Sequence, residues 1–281
     1  MKDEKITVIR PDQNWFDIDW GDFWHSRGLL FHLVKRDVSV VYKQTVLGPL
    51  WFLIQPVLMA LVFSAIFGRV AKIPTDGLPR ILFYLSGLML WNYFRGALDG
   101  AGNAFTNGKA LFAKVYFSRL VVPVSFPLSH LMFLAWNLVV FLGFYAFHLL
   151  RGLEARPTAW LLLLPALIAY VGLSALAFGL VLSATTTKYR DLRFAMPFIL
   201  QVWMYASPVI YSMRNVTTPW IRTVVCLNPL TLALECLRYM FFGTGSITWE
   251  MVAGGVGVTL AFLVLGLGAF NHVQRTFVDT I

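Results

Sequence analysis

Apolar residues run without a charge for about the length of a bilayer in two neighbouring stretches, from Ala159 to Ala184 and from Phe194 to Met213. About 20 such residues in a helix cross a hydrocarbon core of about 30 Å. Between them lies a short polar stretch, Thr185-Thr186-Thr187-Lys188-Tyr189-Arg190-Asp191-Leu192-Arg193. Its cations, Lys188, Arg190 and Arg193, predict a tight cytoplasmic loop, because short basic loops resist translocation. Alternation then assigns a side to every other loop. The pattern predicts six spans, at about 50–67, 81–98, 120–149, 159–184, 194–213 and 251–270, with both termini in the cytoplasm. The expected fold is therefore an all-α membrane protein, with 1–49 as a cytoplasmic N-terminal segment and 50–281 as one transmembrane domain.

Two shorter patterns complete the layout. After Asp22, placed to cap a helix, Phe23, Leu30, Phe31, Val34, Val38 and Val41 recur at roughly helical spacing. His25, His32, Lys35, Arg36 and Lys43 fall largely elsewhere on the wheel, and Gly48-Pro49 breaks the segment. This predicts an amphipathic helix, lying in the cytoplasmic headgroup layer or packed on a partner protein. On the outer side, 219–227 and 229–242 are apolar but too short to cross, and Asn228-Pro229 is a good helix start. A pair of short re-entrant helices in the outer loop before the last span is expected. In that last span Gly254, Gly257, Gly266 and Gly268 form a glycine-rich face.

Composition changes the picture little. Hydrophobic residues make up 58% of the chain and charged ones 13%, which excludes one large soluble core with polar helix faces. A net charge of +9 would point to nucleic acid in a soluble protein. Here the cations sit beside the spans, mostly in the segments assigned to the cytoplasm, and membrane orientation and anionic lipid account for them. The first ~20 residues show no apolar signal region or small-residue cleavage site, so insertion is expected to begin at an internal span. Cys226 and Cys236 make no metal pattern and read as small buried apolar residues on the outer side, where a disulfide could also persist.

The chemistry for independent catalysis is missing. Gly102 to Gly108-Lys109 superficially resembles a phosphate loop, but five residues separate the glycines where four are needed, and Ala110 follows the Lys. His25, His32, His130, His148 and His272 are scattered, no HExxH occurs, and no acid falls mid-span. No metal and no cofactor on this chain are expected. If the chain moves a substrate, another subunit must supply the work. Aromatics remain: Trp51, Phe52, Tyr84, Trp91, Tyr93, Trp203, Tyr205 and Tyr211 gather at span ends and along the fifth span. They read either as an interfacial belt with packing, or as a conduit whose rings stack on pyranose faces, with Gln55, Gln201 and Ser207 supplying hydrogen bonds.

In their order and spacing, several fragments together resemble the membrane subunit of type-2 ABC exporters for polysaccharides, the O-antigen, capsule and teichoic acid permeases. They are Arg36-Asp37, Tyr42-Lys43, Leu47-Gly48-Pro49-Leu50-Trp51 into Gln55-Pro56, Tyr84-Leu85-Ser86-Gly87-Leu88 with Trp91, Lys188-Tyr189-Arg190-Asp191-Leu192, Ser207-Pro208-Val209-Ile210-Tyr211 and Asn228-Pro229-Leu230. The resemblance covers nearly the whole chain. It implies a homodimer in the bacterial inner membrane, two copies of a cytoplasmic ABC ATPase that holds the ATP and Mg, and export of a glycan on an undecaprenyl pyrophosphate carrier. By analogy, Asn107, Gly108, Lys109, Phe112 and Lys114 would meet the ATPase. Tyr189, Arg190 and Asp191 would form a second contact or only anchor the fold. Lys35, Arg36 and Lys43 would meet the carrier pyrophosphate or bulk anionic lipid. The same architecture exporting a drug or small amphiphile is the alternative. A membrane-embedded transferase lacks the acids it would need, and a passive scaffold predicts no ATP-dependent phenotype.

Overall fold

The computed structural model describes residues 20–43, 50–112, 117–153, 155, 157–189 and 191–276. Gly48-Pro49, Lys114 and Arg190 therefore lie outside the described residues, as do the side chains of Lys43 and Lys109. Every regular element among the described residues is helical. The expected amphipathic helix is two: α1, Trp20–His25, and α2, Arg27–Lys43. Asp22 sits inside the first turn of α1 rather than ahead of it, and the Ser26 hydroxyl donates to its carbonyl at the joint (2.8 Å). Leu33 is the buried anchor of α2, while Trp20, Trp24, Phe31 and Val40 stay exposed.

The first span is α3, Trp51–Phe63, continued by a π-helical stretch at Ser64–Val70. Next come α4, Arg80–Gly102, a short α5, Ala104–Phe112, and the 30-residue α6, Val121–Leu150. A 3-10 turn leads into α7, Leu164–Lys188, followed by α8, Leu192–Ala206. Two short helices, α9 (Pro219–Cys226) and α10 (Pro229–Phe242), meet at 87° before α11, Trp249–Thr276. Among the described residues, four segments are long and apolar enough to cross a membrane: Trp51–Val70, Val121–Leu150, Ala159–Lys188 and Trp249–Gln274. Counting the bent α9–α10 pair as one span makes five.

The difference from six has two physical sources. α4 has the length, 23 residues, but carries Ser86, Asn92, Arg95 and Asp99. It is the centre of the bundle, between α6 and α7, with Phe83, Tyr84, Leu90, Trp91 and Phe94 buried along it, so it need not be apolar enough to face lipid. The predicted run 194–213 is helical only as far as Ala206. Pro208 forces the residue before it out of the helical region, and Ser207 is extended (φ −99°, ψ 148°). At 15 residues α8 is about 22 Å long, short of a hydrocarbon core.

Small residues set the helix spacing. A Cβ on Gly179 of α7 would stand 2.6 Å from the Ala101 Cβ and 3.2 Å from the Leu98 carbonyl of α4. One on Gly266 of α11 would stand 2.9 Å from the Ala177 carbonyl of α7. Without water to drive helices together, such close backbone approach supplies the packing. The glycine face expected on α11 is thus used at Gly254 and Gly266, which meet backbone oxygens of neighbours, but not at Gly257, which meets nothing.

Candidate functional site

The site predicted from the sequence is a conduit wall, a basic patch and two coupling loops, and the structure distributes these differently. α8 starts where the Asp191 carboxylate accepts from the Leu192 N–H (3.1 Å). Met196, Leu200 and Met204, four apart, bury one face of it. The opposite face is bare: Phe194, Phe198, Val202 and Tyr205 are exposed, together with Gln201, whose amide donates to the Tyr205 hydroxyl (3.0 Å). On α3, Trp51 and Gln55 are exposed as well, above Leu58, Met59, Leu61 and Val62. Phe52 is half-buried, edge-on to Phe133.

The other conduit candidates point elsewhere. Tyr84, Trp91 and Tyr93 are packed inside the chain on α4, at 0%, 2% and 3% exposure. Trp203 is wedged edge-on between Phe94 and Phe178, and its indole N–H donates to the Asn228 Oδ1 (3.2 Å). Half-buried Tyr211 donates to the Ala206 carbonyl (3.2 Å). Asn228 is a junction the sequence showed only as a helix start. Its Oδ1 also accepts from the Leu230 N–H, capping α10, while its Nδ2 donates to the Ser207 hydroxyl (2.8 Å). Residue 243 closes α10 at φ +66°, a left-handed position that glycine occupies without strain.

On α2, Lys35 and Arg36 are exposed, and Arg36 pairs with Asp37 through Nη2 (2.7 Å) and Nε (2.9 Å). Exposed pairs of this kind contribute little to stability. In α5, the first of the two predicted ATPase contacts, Asn107 is exposed, whereas Gly108 is buried under the Phe112 ring. Phe112 stacks on Phe117, and Phe105 stacks on Phe270 at 4.6 Å, so rings hold α5 against the segment leading into α6 and against the later part of α11. In the second loop Tyr189 is exposed beside the Lys188 ammonium (5.4 Å), and Asp191 serves α8 as its cap.

One cluster was missed. Glu235 and Arg238, two charges within the apolar stretch 229–242, are a buried ion pair (3.3 Å) at 1% and 2% exposure. Two opposite charges three apart inside an apolar helix were the available sign. Cys226 is buried and Cys236 half-buried, both as free thiols. Among the described residues no group of His, Cys, Asp or Glu is arranged to hold a metal ion.

These features define a multi-pass membrane protein built on long apolar helices with a broken fifth run. Residues 28–242 match the ABC-2 type transporter family, and the chain belongs to it. It is 25% identical over 263 residues to the "O-antigen export system permease protein RfbA" of Myxococcus xanthus, covering 92% of this chain and 98% of that one. A protein of the same name from Klebsiella pneumoniae is 24% identical, with the same coverage. The "putative transport permease ycf38" of Cyanophora paradoxa is 21% identical over 84% of each chain. Family membership makes the chain a membrane-embedded transport subunit that works with an ABC ATPase.

Proposed function

We propose that the chain is the transmembrane subunit of an exporter that carries an O-antigen-type polysaccharide, linked to undecaprenyl pyrophosphate, across the bacterial inner membrane. Similarity along nearly its full length to O-antigen export permeases of two bacteria carries the reading. It works as a homodimer with two copies of a cytoplasmic ABC ATPase, which holds the ATP and Mg. In this reading α3, α4, α6, α7, α8 with its extension, and α11 make six crossings. The α9–α10 pair re-enters from outside, and both termini are cytoplasmic.

The conduit faces are narrower than the sequence implied. Trp51, Gln55, Gln201 and Tyr205 are the exposed candidates and would stack on and hydrogen-bond sugar rings as they pass. Phe52, Trp203 and Tyr211 stand at the edge of that set, while Tyr84, Trp91 and Tyr93 back it from inside. Asn107, Gly108, Lys109, Phe112 and Lys114 form the principal ATPase contact, with Tyr189, Arg190 and Asp191 as a second. Lys35, Arg36 and Lys43 meet the carrier pyrophosphate, since an anion in the headgroup layer seeks fixed cations.

The test is complementation of a strain lacking its own O-antigen permease, with the chain supplied together with its ATPase. Surface polysaccharide should return with the wild type. Export of amphiphilic drugs without surface glycan would replace this reading by the drug-exporter one. Arg36→Ala with Lys43→Ala should lower surface glycan at least tenfold while membrane insertion stays normal, and unchanged glycan would remove both from the mechanism. Tyr205→Ala should reduce export several-fold with normal protein levels, whereas Trp203→Ala should lower the level of folded protein, since its ring and indole N–H are both engaged internally. Immunoblots alongside the glycan assay separate the two.

A further inference from the structure

The segment after α8 is irregular yet buried: Ser207, Pro208, Val209, Ile210 and Ser212 are all enclosed. Backbone in that state must find polar partners off the helix. The Val209 N–H donates locally to the Ser207 carbonyl (2.7 Å), and side chains anchor the two ends of the segment: Asn228 Nδ2 donates to the Ser207 hydroxyl (2.8 Å), and the Ser212 hydroxyl donates to the Asp76 carboxylate. The tie between them is Arg238 Nη2, which donates to the Pro208 carbonyl at 2.7 Å.

The environment of Arg238 is elaborate for one carbonyl. Its guanidinium lies 3.9 Å from the Phe83 ring centroid of α4, and Nη1 reaches the Glu235 Oε1 (3.3 Å). Glu235 in turn accepts through Oε2 from the Ser246 N–H (2.9 Å), in the segment leading into α11. One side chain therefore joins α4, the break, α10 and the approach to α11. Burying this pair is not the cheapest way to hold a fold, because a well-packed apolar pair is often as stable. The network is also incompletely satisfied: Arg238 Nε and the Tyr84 hydroxyl are buried without hydrogen-bond partners. What only the charge supplies is a directed grip on the Pro208 carbonyl, at the end of the helix that displays Gln201 and Tyr205.

We infer that Arg238 is a positioning residue for α8, holding the Ser207–Ser212 break, and through it the exposed Gln201–Tyr205 face, by its bond to the Pro208 carbonyl. The transport consequence rests on the export reading; the positioning itself does not. The test uses the full chain with its ATPase in nanodiscs. Amide hydrogen exchange is followed over 207–213, together with ATP hydrolysis and glycan export. Arg238→Met should speed exchange in that segment at least tenfold, and by more than in α6 and α7. It should also cut glycan exported per ATP about tenfold, with ATP hydrolysis retained. Arg238→Lys, which keeps a donor and a charge, should stay within about threefold of wild type on both. If Arg238→Met alone fails to fold, the neutral pair Glu235→Gln with Arg238→Met carries the same expectations. Unaltered exchange over 207–213 in that double variant would overturn the inference, as would faster exchange with undiminished export per ATP. If the wild type exports no glycan yet the exchange effect appears, the positioning role stands and the export reading fails.

Discussion

Glu235→Leu is expected to destabilise the chain far more than Glu235→Leu combined with Arg238→Met. The carboxylate is 1% exposed, and its removal takes the nearest counter-charge from a guanidinium that is 2% exposed, leaving it the Pro208 carbonyl, the Phe83 ring and the more distant Asp76 carboxylate. Breaking one side of a buried pair costs about 3–5 kcal/mol, because the surviving charge stays desolvated and uncompensated. Glu235 also accepts from the Ser246 N–H and hydroxyl, so the 243–248 segment loses its tether at the same time. Removing both charges trades the pair for two apolar side chains of similar bulk and returns most of that cost. Thermal unfolding of purified protein reads the difference: the single variant should melt well below the double. Equal melting points would mean that water reaches Arg238 and that the pair is not buried in the working protein.

How much of this was legible in the sequence depended on whether a feature has a compositional mark. The start of α10 at Asn228-Pro229 is legible from capping chemistry and stands in the structure, whereas the polar stretch 185–193 marks the joint between α7 and α8 but is largely helical, since α7 runs on to Lys188 and α8 starts at Leu192. α4 was harder. It is buried almost all round, so periodicity could not say which way Tyr84, Trp91 and Tyr93 point, and aromatics expected at a conduit turn out to fill the bundle centre. The run 194–213 carries no charge, so composition shows one stretch where the structure has a helix ending at Ala206 and an extended residue, Ser207, before Pro208. The π-helical stretch at Ser64–Val70 depends on hydrogen-bond register, and register has no residue signature. Glu235 and Arg238 were visible as single charges. Their pairing required knowing that α10 is enclosed on all sides rather than lying at a surface.

The glycine contacts between long helices give the other large effect. Gly179→Leu is expected to abolish the folded chain, because its seat leaves no direction for a side chain to escape. Even a Cβ there would stand 2.6 Å from the Ala101 Cβ, 3.2 Å from the Leu98 carbonyl and 3.4 Å from the Gly102 nitrogen. Two of those three are backbone, which cannot rotate aside, so α4 and α7 would have to separate along their length. Close packing is what holds membrane helices together, and overpacking a tight contact costs about 1–3 kcal/mol or more even where side chains can adjust. Gly257→Leu is the matched control: on α11, with nothing within 4 Å of its Cβ, it should leave folding unchanged. Size-exclusion profiles of detergent-solubilised protein distinguish the outcomes. A monodisperse Gly179→Leu would show that α4 and α7 do not approach this closely, and the placement of α4 at the centre of the bundle would fall with it.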